Sequence, residues 1–332
     1  MSIFTSSKGT AATWSEAMDK AGLNWSVSKH QFTSPITGQP VDSWGIFRDD
    51  NNGFLGSVGS VFAPIQNKAM GAHIDKIINS AGAHYETAGC LDGGKRVWAL
   101  AKLPSDIRIA GTDDITKSYL LATQGHDGST SYILKYTGIR VVCRNTLTHA
   151  INERGGDAIK TKHTTNASGR LSTAIDAAAG INASLQVVSS KLNELAVRRI
   201  DGKTIAATFD RVLGADWRDS TRTKNNAAQI ANLFESNDNG AFPQIKGTAV
   251  NLYNAMTNWS DHYRTVRRTD GKEELSIEQL REESAVFGSG DAWKTKALET
   301  ILELTESAPR KEIMRPVVSV PRSIDRILAA VN

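Results

Sequence analysis

The stretch Gly138 to Ile151 constrains the chain most, because it reads as a β-strand running directly into a helix. Ile139, Val141 and Cys143 alternate with Arg140, Val142 and Arg144, so one face is apolar and the other carries two guanidiniums. Asn145 or Thr146 offers an N-cap oxygen, and Leu147, Ala150 and Ile151 give the first helical spacing of apolar residues. At the rise of a strand, Arg140 and Arg144 stand about 13 Å apart on one face. The second arginine then lies beside a helix N-terminus, whose unpaired N–H groups favour anions. The spacing suits the phosphates of a nucleic-acid backbone. The same two arginines equally suit a structural network with carboxylates.

The elements before this stretch are predicted to be mostly strands. Thr13-Trp14-Ser15-Glu16 is a capping box, Trp14, Ala17, Met18 and Ala21 follow at helical spacing, and Gly22 stops the helix. Strand-like runs cover 25–32, 43–48 and 54–63, with turns at Pro35, Gly38, Pro40 and the Asp49 to Gly53 cluster. Met70, Ile74, Ile77, Ile78 and Ala81 mark an amphipathic helix ended by Gly82. Two hairpins follow, 85–91 with 95–103 around Asp92-Gly93-Gly94, and 118–124 with 129–136 around His126-Asp127-Gly128. Gly56-Ser57-Val58-Gly59-Ser60 reads as a bulge or a close approach of backbones rather than a phosphate loop.

From Leu171 onward the apolar spacing is helical, with stripes at Leu171–Ala178, Leu185–Leu195, Phe209–Leu213, Ile230–Phe234, Leu252–Tyr263 and Trp293–Leu302. Ser276-Ile277-Glu278-Gln279 is a second capping box, and Ile324, Ile327 and Leu328 mark a terminal helix. The fold class expected is α+β: an N-terminal antiparallel sheet with hairpins and flanking helices over 10–165, then a mainly helical region over 170–332. The polar loop Lys160 to Gly169 would join them.

Composition narrows the function classes. Net charge is +4, and Lys plus Arg outnumber Asp plus Glu by 17 to 14 over residues 1–164 and by 22 to 21 over the rest. No basic tail is present, so a nucleic-acid surface would have to be assembled by the fold. Two cysteines, Cys90 and Cys143, give neither a zinc spacing nor a disulfide framework, which fits a reducing cytosol. The first 12 residues lack the apolar core of a signal peptide, and no apolar run approaches the roughly 18 residues of a membrane span. A cytoplasmic protein is expected.

Lys95-Arg96-Val97-Trp98-Ala99-Leu100-Ala101-Lys102-Leu103 supplies a second candidate surface. Val97, Ala99, Ala101 and Leu103 form a core face, leaving Arg96, Trp98, Leu100 and Lys102 on the other. A Trp between two cations resembles a stacking platform for single strands. The alternative is that helices cover this face and the cations snorkel out. Arg218, Arg222 and Lys224, and Arg264 with Arg267 and Arg268, are further basic segments that read as solvated faces or added phosphate contacts. Catalytic signals are weak. The seven histidines show no His-Glu-x-x-His spacing, and no Walker loop or nucleophile elbow occurs. No enzyme activity and no cofactor are expected. A metal-dependent hydrolase using His126, Asp127, His149 and His163 stands as a rival.

Leu55-Gly56-Ser57-Val58, Ala88 to Leu100, Arg140-Val141-Val142-Cys143-Arg144-Asn145-Thr146-Leu147, His163-Thr164 and the Gly247 to Tyr263 segment together resemble the phage/plasmid-related proteins grouped as a domain of unknown function. The resemblance spans roughly residues 14–305 and implies a mobile genetic element in a bacterial cytoplasm. It carries no catalytic residues. A looser similarity in the order of elements links the chain to single-strand annealing recombinases of the Red-beta, RecT, Erf and Sak type, which assemble as rings or filaments. The function expected is therefore DNA binding in recombination or replication, on single-stranded DNA or annealed duplex. Arg140, Arg144, Arg96, Lys102 and Lys95 would contact phosphates, Trp98 would stack a base, and a homo-oligomer would lengthen the groove. Affinity would fall steeply with salt. The rival from another class is a module that binds a host protein and blocks a defence or restriction system.

Overall fold

In the computed structural model, residues 2–4, 10–140, 146–148, 158–167, 169, 181–236, 242–266, 277, 280–281, 284–285 and 289–306 are described. The fold is α+β, with antiparallel sheets in the N-terminal half and helices predominating in the C-terminal half. Among the described residues no helix is long and apolar enough to cross a membrane. The chain packs as two compact units. The first comprises 1–105, 118–136 and 152–182; the second comprises 106–117, 137–151 and 183–332.

The first unit begins with strand β1 (Ser2–Phe4) and helix α1 (Trp14–Ala21). The capping box forms: Thr13 Oγ1 accepts from Glu16 N at 3.3 Å, and Glu16 returns a carboxylate to the Ala12 N–H at 3.0 Å. Gly22 ends the helix at φ +66°. Strands β2 (Val27–Thr33), β3 (Pro40–Arg48) and β4 (Phe54–Val58) make a three-stranded antiparallel sheet. Helix α2 (Asn67–Ala81) follows, closed by Gly82 in the left-handed region. Its Gly71 lies under the Trp14 indole, where a Cβ would come within 1.7 Å of the ring. The indole Nε1 donates to the Asn67 carbonyl at 2.7 Å, so α1 and α2 are pinned at a close crossing.

Strands β5 (His84–Leu91) and β6 (Arg96–Lys102) form the first expected hairpin, with positive φ at Asp92, Gly93 and Gly94. Strand β7 (Ile107–Arg108) is a short outlier, and β8 (Ile115–Gly125) and β9 (Tyr132–Arg140) follow it. The sheet order in the first unit is β1-β5-β6-β8-β9, with β11 (Ala158–Thr161) added to β9. Strand β11 occupies residues that the sequence suggested as the start of a polar loop. Ala88, Val97, Ala99, Leu120 and Ala122 from this sheet meet Trp14, Met70, Ile74 and Ile78 from the helices in one buried core.

One expectation is corrected in the second unit. Thr146–Thr148 is strand β10, antiparallel to Thr137–Ile139 of β9, rather than the first turn of a helix. Thr-Leu-Thr alternates and is β-branched at two of three positions, and pairing with β9 satisfies its backbone groups. Residues 141–145 and 149–157 lie outside the described residues. So do the second capping box apart from Ile277, the Leu171–Ala178 stripe and the terminal helix.

The helices of this unit are α3 (Ile181–Val197), α4 (Gly202–Leu213), α5 (Thr221–Glu235), α6 (Ala249–Asn258) and α7 (Ser289–Thr305). Asp201 caps α4 by accepting from Thr204 N at 2.8 Å. Helix α6 is buried on every side and runs into a π-helical turn, Trp259–Tyr263. Phe209, Phe234, Tyr253, Met256 and Ile301 are almost wholly buried within this unit. Lys294 of α7 is also fully buried, with Nζ 2.9 Å from Asp261 Oδ1 and 3.0 Å from the Ala285 carbonyl.

Candidate nucleic-acid interface

Strand β6 places Arg96, Trp98 and Lys102 on one face, as the alternation requires, with Val97, Ala99 and Ala101 turned into the core. Trp98 keeps only 9 % of its surface exposed. Its cross-strand neighbours in β8 include Leu121 and Thr123, both buried, so this face of the sheet is covered. Arg96 is half-buried and donates to Thr130 Oγ1 at 3.2 Å. Lys102 is half-buried, with Nζ 5.8 Å from the centre of the Tyr119 ring. Lys95, just past the hairpin turn, is exposed. Arg140 ends β9 in the second unit, and its side chain lies outside the described residues, as does the whole of Arg144.

Open aromatic rings occur elsewhere, on the small sheet. Residues directly opposite in an antiparallel pair share a face, and the register pairs Ser28 with Phe47, His30 with Gly45, Gly45 with Ser57 and Phe47 with Phe54. His30, Phe32, Phe47 and Phe54 therefore project from one face. Val27, Ile46 and Val58 project from the other into the core. Ring centroids are 5.4 Å apart for Phe47 and Phe54, 6.3 Å for Phe32 and Phe54, and 5.9 Å for His30 and Phe47. Phe54 is 52 % exposed, His30 is exposed, and Phe32 and Phe47 are half-buried.

Gly45 sets the attitude of these rings. A Cβ there would stand 2.5 Å from Phe47 and 2.7 Å from Phe32, so the glycine lets both rings lie down over β3. The signal was present in the sequence, since Phe32, Gly45 and Phe47 sit at alternating positions of β-like runs. Which face of those runs met the core was not.

The two cations of this sheet serve its other face. Lys29 Nζ lies 4.7 Å from the Trp44 ring centre and donates to the carbonyls of Ser60 and Phe62. The Arg48 guanidinium lies 4.2 Å over Trp25, makes a forked pair with Asp50 at 2.6 and 2.9 Å, and donates to the Gly93 carbonyl. Asp49 accepts from Ser26 Oγ at 2.6 Å, and hydroxyl donors hold its carboxyl below the usual range. The open face is thus aromatic and hydroxylic, with little positive charge.

The histidine turn is a buried polar knot. Asn67 Nδ2 donates to the carbonyls of Leu23 and Trp25, at 3.1 Å each, which turns its Oδ1 toward His126 Nε2 at 2.9 Å. Nε2 must therefore carry the proton, and Nδ1 is left buried without a hydrogen-bond partner. Burial, reinforced by His163, pushes the His126 pKa down to about 3, so the ring is neutral. His163 stacks on Phe62 at 5.0 Å and is likewise pushed down by burial. Gly56 packs so closely on the Asp127 backbone that a Cβ would lie 2.8 Å from it, which is the close approach expected of the Gly56–Ser60 run. Among the described residues no three His, Cys, Asp or Glu side chains converge to hold a metal. His149 lies outside them.

No curated protein and no solved structure matches the chain. The family described as Domain of unknown function (DUF932) matches residues 54–281 of the 332, about two thirds of the chain, and the chain belongs to that family.

Proposed function

We propose that this protein binds single-stranded DNA, stacking unpaired bases on Phe47, Phe54, Phe32 and His30, and that it acts in recombination or replication of a bacterial mobile element. The observation that carries this reading is the set of four neighbouring aromatic rings on a solvent-facing sheet surface, two of them seated over Gly45. Every base has a π-face, so such a surface takes single strands with little sequence preference. Lys95 of the same unit is the candidate for a phosphate contact, and a homo-oligomer would multiply a small surface into a longer track.

Fluorescence anisotropy with a labelled single-stranded oligonucleotide tests it. One stacked base is worth about 1–3 kcal/mol, so Phe47→Ala or Phe54→Ala should weaken binding by about 5- to 150-fold. Gly45→Val keeps every aromatic residue but lifts the rings, and should also weaken binding. Wild-type protein that fails to bind, or variants that bind equally well, would remove this reading.

A second reading is favoured by one observation. Ile36, at the tip of the β2–β3 hairpin, is 92 % exposed, and Val41, near the start of β3, is also exposed. An apolar rim with few charges suits a protein partner, in keeping with a module that engages a host factor. A partner retained by the wild type after nuclease treatment, and lost on Ile36→Ser, would favour this alternative.

A further inference from the structure

Stacking by itself is tolerant of sequence, so any choice of base on the aromatic face has to come from polar groups at its border. One such group is Asp49. The last ladder pair of β2 and β3 is Val27 with Arg48, and Ser26 with Asp49 continues it. The Asp49 N–H donates to the Ser26 carbonyl at 3.0 Å, and Ser26 Oγ donates to Asp49 Oδ2 at 2.6 Å. Side chains alternate along a strand, so Ser26 and Asp49 fall on the face that carries Ser28 and Phe47. The Ser28 hydroxyl also donates to Asp49, as that shared face requires. The carboxylate therefore borders Phe47, two residues away and about 7 Å along the strand. Ser28 stands opposite Phe47, its Oγ lies 2.9 Å from His30 Nε2, and the His30 ring is 5.9 Å from that of Phe47.

Asp50, next in sequence, is neutralised by the Arg48 fork. Asp49 is exposed, and among the described residues no lysine or arginine pairs with it. Its hydroxyl donors favour the ionised carboxyl, which can only accept hydrogen bonds. A carboxylate has about four acceptor positions, so two serine hydroxyls leave others open to a ligand. A phosphate would be repelled there, whereas a base edge with two adjacent donors would be held. Guanine has such an edge, the N1–H beside the N2 amino group. The N3–H of thymine is flanked by two carbonyl oxygens, which a carboxylate repels. Adenine and cytosine each present one amino group beside an acceptor nitrogen. Unpaired bases are commonly read on this Watson–Crick edge while their faces stack.

We propose that Asp49 makes the aromatic face selective for guanine, by accepting from the N1–H and N2–H of a guanine stacked on Phe47. This inference rests on the stacking reading and adds a choice of base to it. The carboxylate supplies selectivity at a cost, because its charge also repels the strand's own phosphates. Removing that charge therefore has two effects of opposite sign: guanine loses its preferred partner, and strands without guanine lose a repulsion.

Anisotropy titrations of the full chain with three labelled single strands of equal length test it: oligothymidine, a thymidine–guanosine repeat, and the same repeat with inosine for guanosine. Hypoxanthine keeps the N1–H, O6 and the purine stacking surface of guanine but lacks the N2 amino group. The guanosine-to-inosine ratio thus reads the second bond to the carboxylate apart from stacking. The wild type should bind the guanosine repeat about fivefold or more tighter than the inosine repeat. That ratio should hold as salt is raised, since both strands carry the same number of phosphates. Asp49→Asn keeps an acceptor for Ser26, so it should retain the native circular dichroism and melting transition. It should bind oligothymidine no more weakly than the wild type does, while its guanosine-to-inosine ratio falls to about twofold or less. Equal binding of the two repeats by the wild type would overturn the selectivity and leave the stacking reading standing. An unchanged ratio in folded Asp49→Asn would do the same. Failure of the wild type to bind any of the three strands would remove the stacking reading and the selectivity with it. If Asp49→Asn does not fold, the wild-type ratio decides alone.

Discussion

At the scale of single residues, His126 shows most plainly how burial sets chemistry. The hydrogen bond from Nε2 to Asn67 fixes its tautomer, and burial keeps the ring neutral with a pKa of about 3. The sign of the pH dependence follows. In the unfolded chain the ring takes up a proton below about pH 6.5, whereas the folded chain refuses it until far lower. The stability contributed is present above pH 6.5 and is lost as pH falls toward 3. Urea unfolding at pH 7 and pH 5 should therefore show a loss of about 2 kcal/mol assignable to this residue. His126→Gln should flatten the slope by that amount, and an unchanged slope would mean the ring is hydrated. The histidine was visible in the sequence as part of a turn, but its partner Asn67 lies 59 positions away.

At the scale of elements, local chemistry predicted most of what formed. Thr13 and Glu16 cap α1, Gly22 and Gly82 end helices at positive φ, and Asp92-Gly93-Gly94 closes a hairpin, because each signal is complete within a few residues. Thr146–Thr148 went the other way because pairing with β9, a contact outside the local window, decided between helix and strand. The join between α7 and the π-helical turn depends on Lys294 and Asp261, which are 33 positions apart and both buried. Lys294→Met should destabilise the fold by about 3–5 kcal/mol, since it strands a buried carboxylate. Chemical denaturation measures this, and restoration by a second change, Asp261→Leu, would separate lost pairing from lost packing.

At the scale of the whole molecule, the net charge of +4 divides as +3 over residues 1–164 and +1 over the rest, and the aromatic face draws little from it. If bases stack there, affinity should fall gently with salt rather than steeply. A slope of log affinity against log salt of about −1 to −2, measured by anisotropy, corresponds to two or three released counterions. A slope beyond about −4 would place the main contacts on lysines and arginines elsewhere. Exposure decided the candidate surface at this scale. Trp98 sits between two cations in sequence, yet its ring is covered, whereas Phe54, with no basic residue close to it in sequence, lies open.

The sequence by itself determined the α+β class, the capped helices, the tight hairpins and the division of each strand into two faces. These follow from interactions that close within one turn or one strand, so the order of residues carries them. Only the tertiary structure decided which of two faces met solvent and which histidines were sealed in. Those outcomes depend on what residues distant in the chain bring alongside, and burial and electrostatic balance have no value until that packing exists.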